Sequence, residues 1–503
     1  MGLSLAVGFF AAVLVFCIAA YPLKLYKRTY TPKSKGQNLL LFGVVACCLL
    51  PAIYIFCTLD HENILYPFSG LLENQNGYAQ QFDAFLKGQL HLDFAPDERI
   101  LSLENPYNPA ARAESGAWYP WDRALFDGKY YSYFGIAPLL TVYFPYYALT
   151  GALPAPQTVC FIFALVAVVA VALLVLRLVR LFVPNCNFCA LVLAVVAAEA
   201  GSLIYMLQSS ADMYYIAVLS GVMHLMLFLL FSFCAYRQKK TGLCLLFLLL
   251  SALNLVLTVL SRPNMALYAA VCIPIFWSVF FDKSAKMSVK VVKFLTFTIP
   301  VALGAAFTMW YNYARFGSVL EFGAQYQLTV CDVSEYHLTV GLLPVALYHY
   351  FFQLPQCKST FPYIALTYES FPHGTGFLYV AKMLGAFSMP SLAGIVLSPV
   401  TYQRKKPVVK PLTFTLVFVC CVALAYLDTC FGGVCVRYLA DVAPIAAVFS
   451  GVVLLDLQTL FAKNGKRVQY AVFLLLCLLF LLTAAVGFLL IFENERNYIL
   501  TLR

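Results

Sequence analysis

Long apolar runs, each broken by a few polar residues, set the rhythm of this chain. "FALVAVVAVALLVL" and "AVFLLLCLLFLLTAAVGFLLIF" are two of many. An apolar stretch of about 20 residues is what a helix needs to cross a bilayer. The pattern predicts spans near 3–22, 39–59, 157–181, 187–208, 212–235, 243–261, 264–281, 291–312, 376–400, 411–427, 437–457 and 469–491. The expected fold class is an all-α polytopic membrane protein, with about 12 transmembrane helices in a single integral-membrane domain over 1–503. The first run lacks a small-residue cleavage site and reads as a retained anchor.

Two weaker segments break the pattern, "FGIAPLLTVYFPYYALTG" at 134–151 and "LTVGLLPVALYHYFFQL" at 338–354. Each is short, interrupted by proline and rich in tyrosine or phenylalanine. Proline disrupts the helical hydrogen-bond ladder, and tyrosine prefers the membrane–water interface. Both are expected to lie on the outer membrane surface. The chain then has two large external segments, 60–156 and 313–375, the first carrying juxtamembrane helices.

Charge supports this layout. Only 11% of the residues are charged, against roughly a quarter in soluble domains. The net charge of +10 suggests nucleic acid, but the basic residues form no single face. Six short clusters between spans, from Lys24–Lys35 to Lys463–Arg467, hold 21 of the 33. Alternating spans put all six on one side, which the positive-inside rule makes cytoplasmic. The large loops are then extracytoplasmic, in a multi-pass cell-membrane protein with lipid and no nucleic acid as partner. Eleven of the 23 acidic residues fall within 60–133. Long loops are where function concentrates. Most of the 17 cysteines lie in apolar runs, as small hydrophobes; Cys430 and Cys435 are expected to face outward and able to pair.

"NGYAQQFDAFLKGQLHLD" (76–93) reads as a short amphipathic helix ended by Gly88, with Asp83 beside its apolar stripe. Asp83 is either a solvated helix charge or a carboxylate aimed into a cleft. "LENPYNPAARAESGAWYPWDRALFDGKYYSYFG" (103–135) is rich in turn formers and aromatics, and Asp127-Gly128 marks a tight turn that delivers Lys129, Tyr130 and Tyr131. Aromatics beside carboxylates suit carbohydrate, since sugar C–H faces pack on rings while hydroxyls bond to acids. An interfacial aromatic belt accounts for the tyrosines equally well, but not for Asp122 and Arg123. "LSRPN" places Arg262, "YNYARFGSVLEFGAQYQL" places Arg315 and Glu321, and "FGGVCVRYLADVAP" places Arg437, Tyr438 and Asp441 at outer helix ends. Each arginine alone is explained by snorkelling to headgroups; three on one side also suit a phosphate. Phosphate-loop, dinucleotide, zinc-protease and nucleophile-elbow motifs are absent from the sequence.

With its many spans, one large acidic external loop and external arginines, the chain resembles the GT-C superfamily of integral-membrane glycosyltransferases. "YAQQFDAFLKGQL" followed by "DGKYYSYFGIAPLL" is similar to the bacterial dolichyl-phosphate-mannose-type and aminoarabinose-transferase-like branches. The paired Asp-Glu many members carry is absent, since 73–78 read "ENQNGY". That leaves the catalytic carboxylate open among Asp83, Asp122, Glu73 and Asp60.

The resemblance implies a polyprenyl-phosphate sugar as donor and a glycan, lipid or protein as acceptor. It implies inverting transfer on the extracytoplasmic face with a loop carboxylate as general base, Asp83 first and Asp122 second. Arg315, Arg437 and Lys129 would stand near the phosphate, with Tyr130, Tyr131, Arg262, Glu321 and Tyr438 completing the substrate site. No cofactor is expected and no divalent metal is indicated. Two other classes remain in view, a secondary transporter and a non-catalytic or polymer-ligase-like protein of envelope biogenesis. A transporter would need ionisable residues or broken helices near mid-membrane, and here the span centres are nearly free of charge.

Overall fold

The computed structural model describes residues 8, 11, 13–16, 18–59, 62, 64–66, 76–369, 378–401 and 408–493. Among them, ten helical segments are long and apolar enough to cross a membrane, and the protein is an all-α polytopic membrane protein. The helices used below are α1 (Lys35–Thr58), α2 (Gly77–Leu86), α3 (Pro156–Phe182), α4 (Phe188–Gly201), α5 (Met213–Ala235), α6 (Thr241–Val259), α7 (Ile273–Phe280), α8 (Met287–Phe316), α9 (Val409–Phe431), α10 (Ala443–Phe461) and α11 (Lys466–Leu489). The span that ends in α7 begins as a 3₁₀ helix, Pro263–Cys272. Of the expected span at 3–22, residues 8, 11, 13–16 and 18–22 are described, helical from 8 to 20 wherever described, and the rest lie outside the described residues, as do Arg404, Lys405 and Lys406.

The span expected at 376–400 crosses in a different form. Val380 pairs with Val434, just beyond the last turn of α9, whereas Lys410 in the first turn of α9 is ion-paired with Asp456 near the end of α10. Residues 380–401 therefore run alongside α9 from its far end towards its first turn. They do so as an extended stretch followed by the 3₁₀ helix Pro390–Thr401. At about 2 Å per residue, a 3₁₀ helix needs fewer residues than an α-helix to cover the same thickness. Ser450 Oγ donates to Leu392 O at 2.6 Å, and Ser391 N donates to Thr483 Oγ1 at 2.9 Å, fixing the segment against α10 and α11.

The two proline-interrupted segments stay short. Leu139–Tyr143 and Phe144–Thr150 form one bent helix, and Val340–Phe352 another. Neither reaches the length of a membrane-crossing helix.

Among the described residues, basic residues from several of the clusters gather at one end of the bundle. Arg177 donates to Phe233 O at 2.9 Å and to Tyr236 O at 2.9 Å, and Arg180 donates to Tyr30 Oη at 3.0 Å. Tyr26, Lys27, Asn187, Asp456, Lys463 and Gln469 line one cleft at that end. Among the described residues no disulfide is formed, and Cys430 and Cys435, expected to face outward, are both buried.

At the opposite end, residues 76–136 fold onto the helix termini. The strands β1 (Ala124–Phe126) and β2 (Lys129–Tyr131) form a two-residue hairpin, pairing Phe126 with Lys129. Asp127 (φ 48°) and Gly128 (φ 67°) make its turn, and two left-handed residues in succession are what such a hairpin requires. Gly135 follows at a point of close approach. A Cβ there would lie 2.1 Å from Leu260 O, and Ala137 N donates to that same carbonyl at 3.0 Å. "YFGIAP" is thus the seam that docks residues 76–136 on the end of α6.

Candidate functional site

Asp212 caps α5, its carboxylate accepting from Tyr214 N at 2.7 Å and Tyr215 N at 3.3 Å. An aspartate at this position satisfies otherwise free amides of the first turn. The cap sets where α5 begins, and so puts Tyr214 at the rim of the bundle. Around it converge the ends of α6, α8 and α9, the approach to α10, and the segment 133–136. They enclose a cavity of about 380 Å³. Arg262, Arg315, Arg437 and Tyr438 line it, together with Tyr133, Tyr214, Asn264, Tyr311, Asn312, Gln327, Asp428 and Phe431.

Each arginine is held differently. Arg262 donates to Asp441 Oδ2 at 2.5 Å. Burial disfavours its charge, but Asp441 and Asp428 outweigh that, and its pKa stands above the ordinary arginine value. Arg315 makes no ion pair among the described residues. It is buried, donating to Ser132 O at 2.8 Å, Asn312 Oδ1 at 3.1 Å and Tyr311 O at 3.3 Å, over the Tyr311 ring at 3.8 Å. Arg437 stacks over Tyr214 at 5.1 Å and Tyr438 at 5.0 Å, and Arg262 stands 5.5 Å from the same Tyr438 ring. Tyr438 thereby separates two guanidiniums that would otherwise repel. Cation–π contacts of this kind contribute about 0.5–2 kcal/mol each.

Asp122 lies directly behind Tyr214, which donates its phenolic hydrogen to Asp122 Oδ2. The other carboxylate oxygen is buried with no hydrogen-bond partner. Asp122 adopts φ 53°, a left-handed conformation that aspartate tolerates better than most residues. Its amide donates to Leu328 O at 3.1 Å and Leu328 N donates to Arg123 O at 2.9 Å, locking the turn. Arg123 is fully buried and ties this turn to α2, donating to Gln80 Oε1 at 2.9 Å; burial holds its pKa below the usual value. Burial, reinforced by the Asp122 charge, pushes the Tyr133 hydroxyl well above the ordinary range.

The remaining residues singled out in the sequence sit elsewhere. Asp83 is buried, accepting from Tyr66 Oη at 3.0 Å and Lys87 Nζ at 2.9 Å, away from the cavity wall. Lys129 is exposed and borders a separate shallow cleft beside His91–Pro96. Tyr130 packs on Phe94 at 5.3 Å and Tyr131 on Phe316 at 5.3 Å, both as core. Glu321 closes a turn, accepting from Gly323 N at 2.5 Å and Gln325 Nε2 at 2.7 Å. Glu73 and Asp60 lie outside the described residues. Among the described residues, no group of three or more His, Cys, Asp or Glu side chains is placed to hold a metal ion.

Sequence reasoning missed Tyr214, Asn264 and Asp428. Asp428 carried a signal, being an acid that directly follows the neutral predicted span 411–427, where a charge beside the membrane is costly unless paired or functional. Tyr214 carried none, because its partner is 92 residues away in sequence.

No protein-family model matches the chain, and no curated protein matches it. Among solved structures, it is similar over 90% of its length to the Archaeoglobus fulgidus oligosaccharyltransferase in the apo form, at 14% identity and a TM-score of 0.46. The chain spans only 56% of that protein. It is also similar over 91% of its length to ArnT from Cupriavidus metallidurans, covering 78% of that chain at 12% identity. The TM-score is 0.41 against the form bound to undecaprenyl phosphate and 0.42 against the apo state. These likenesses concern the layout of the chain.

Proposed function

We propose that the protein is a membrane glycosyltransferase that moves a sugar from a polyprenyl-phosphate donor to a glycan, lipid or protein acceptor. The observation that supports this reading is the convergence of Arg262, Arg315 and Arg437, from three separate parts of the chain, on one cavity whose wall includes Tyr214, the hydrogen-bond partner of Asp122. Fixed guanidiniums in a shielded cleft favour a phosphate that gains charge as it leaves. The positive-inside rule places the cavity on the extracytoplasmic side, because it lies at the end of the bundle opposite the basic clusters. A lipid-linked donor keeps its isoprenoid chain in the bilayer while its headgroup enters the cavity.

In the proposed step the acceptor hydroxyl attacks the anomeric carbon as the bond to the phosphate oxygen breaks on the opposite face, inverting the configuration. Tyr214 Oη takes the acceptor's proton and passes its own to Asp122, so the pair acts as the general base. Arg315, lacking a carboxylate partner, is the cation most available to the phosphate, with Arg437 beside it. Asp83, engaged by Tyr66 and Lys87, takes no part. The reaction so drawn needs no metal or cofactor.

Transfer from radiolabelled undecaprenyl-phosphate sugars by membranes containing the protein tests the reading. Transfer is expected with at least one such donor, and its absence with all of them would sink the proposed class.

A further inference from the structure

One charged side chain of the cavity wall has no part in holding a phosphate or moving the acceptor's proton. It is Asp428, in the last turn of α9, 92% buried and lining the cavity. Its carboxylate is held by one oxygen. Asn264 Nδ2 donates to Asp428 Oδ1 at 2.8 Å and to Asp441 Oδ2 at 2.7 Å, and Arg262 Nη2 donates to the same Asp441 oxygen at 2.5 Å. Asp428 Oδ2 is buried with no hydrogen-bond partner.

This is a supported carboxylate with a free acceptor. Asp441 is fully buried behind the wall and neutralised by Arg262, so the exposed business of the cluster falls to Asp428. A buried polar oxygen without a donor is costly, and in a cavity the missing donor is supplied by what binds there. A divalent cation fits poorly. Such ions take six or more oxygens, whereas here the Asp428 and Asp441 carboxylates are already bridged by the Asn264 amide NH₂, with the Arg262 guanidinium on Asp441, groups that present hydrogens. A hydroxyl fits well, since it donates to the carboxylate and needs no charge. The adjoining wall supplies the rest of a sugar's complement, with the Phe431 and Tyr438 rings next to Asp428 in the cavity lining.

We propose that Asp428 marks the subsite for the transferred sugar, its free oxygen accepting a hydrogen bond from a ring hydroxyl. The inference rests on the glycosyltransferase reading above and adds where the sugar sits and what selects it. Arg315 and Arg437 hold the phosphate, which every donor shares. Asp428 reads the hydroxyl pattern, which differs between donors. Asn264 and Asp441 are positioning residues that aim the Asp428 carboxylate.

Binding to the purified full-length protein separates the two levels, using undecaprenyl phosphate and its glucosyl, galactosyl and mannosyl derivatives as probes. The wild type is expected to bind bare undecaprenyl phosphate and to bind at least one glycosylated form more tightly. Asp428→Asn, which keeps an acceptor for Asn264, should weaken the preferred glycosylated lipid by about tenfold or more, as expected for loss of a charged acceptor. It should leave the bare lipid within about twofold, which also shows that the variant is folded. Arg315→Gln should weaken all four. Equal weakening of bare and glycosylated lipids by Asp428→Asn, no weakening of either, or a wild type that prefers the bare lipid overturns the subsite. Failure of the wild type to bind any of the four overturns the glycosyltransferase reading instead.

Discussion

The Arg437 guanidinium stands 5.1 Å over the ring of Tyr214, and that ring carries the hydroxyl bonded to Asp122. A cation, a phenol and a carboxylate from three distant parts of the chain are thereby joined at one wall. Continuing through Tyr438 to Arg262, Asp441, Asn264 and Asp428, the same wall forms an unbroken chain of polar contacts. The consequences of that arrangement are separable by mutation.

Tyr214→Phe and Asp122→Asn should each lower kcat for sugar transfer by about 10²–10⁴-fold, the usual contribution of a general base. The double variant should be little worse than either single one, because the two groups act as a unit. Additive losses in steady-state kinetics would show that they act independently.

Asp83→Asn should leave the turnover of folded protein within about threefold. It removes the charge that pairs with Lys87 while keeping an acceptor for Tyr66, and neither partner lines the cavity. Lys87 is 42% exposed, so solvent discounts the ion pair and the stability lost should be about 1 kcal/mol or less. Activity measured beside a denaturation curve in detergent checks both; a loss of more than a hundredfold in kcat would restore Asp83 as a candidate base.

Arg315→Gln should reduce kcat/KM by about 10²–10³-fold, comparable to losing one preorganised donor to a developing oxyanion. Arg315→Lys should recover only part of that. Lysine keeps the charge but cannot reach Ser132 O and Asn312 Oδ1 while also presenting a fork to a phosphate. Full recovery by lysine would mean that charge alone matters there.

Gly135→Ala should destabilise the docking of residues 76–136 by about 1–3 kcal/mol, because the added methyl would meet Leu260 O and Ser261 O at 2.1 and 2.6 Å. Limited proteolysis of the external segment should accelerate while the membrane helices stay intact. Unchanged cleavage kinetics would show that the seam relaxes without cost.

Asp456→Ala should cost about 3–5 kcal/mol by stranding Lys410 without its partner in a buried site. The pair lies at the basic end, remote from the cavity. Transfer per folded molecule should therefore hold while Tm in detergent falls, and a loss of specific activity would link the two ends.

The apolar pattern by itself determined the class of protein and nearly every crossing, because a helix in lipid must be long, apolar and internally hydrogen-bonded. It also located the crossing before α9 while misreading its kind; hydropathy measures the polarity of a segment and not its rise per residue. The hairpin turn at Asp127-Gly128 was equally legible, since its chemistry is local. Charge placement singled out Arg262, Arg315, Arg437 and Tyr438, whose sequence neighbours are helix ends.

Tertiary structure decided what those arginines face. Asp83 and Asp122 look alike in sequence, each an acid amid aromatics, yet one is engaged by Tyr66 and Lys87 and the other by Tyr214. Tyr130 and Tyr131 became core because each face of the hairpin is covered, by Phe94 on one side and Phe316 on the other, while Lys129 beside the turn stayed at the surface. The carboxylate at Asp428 was hidden for a related reason. Its partners Asn264 and Asp441 are 164 and 13 positions away, and only the packing of α9 against the 3₁₀ entry to α7 brings them within hydrogen-bonding distance.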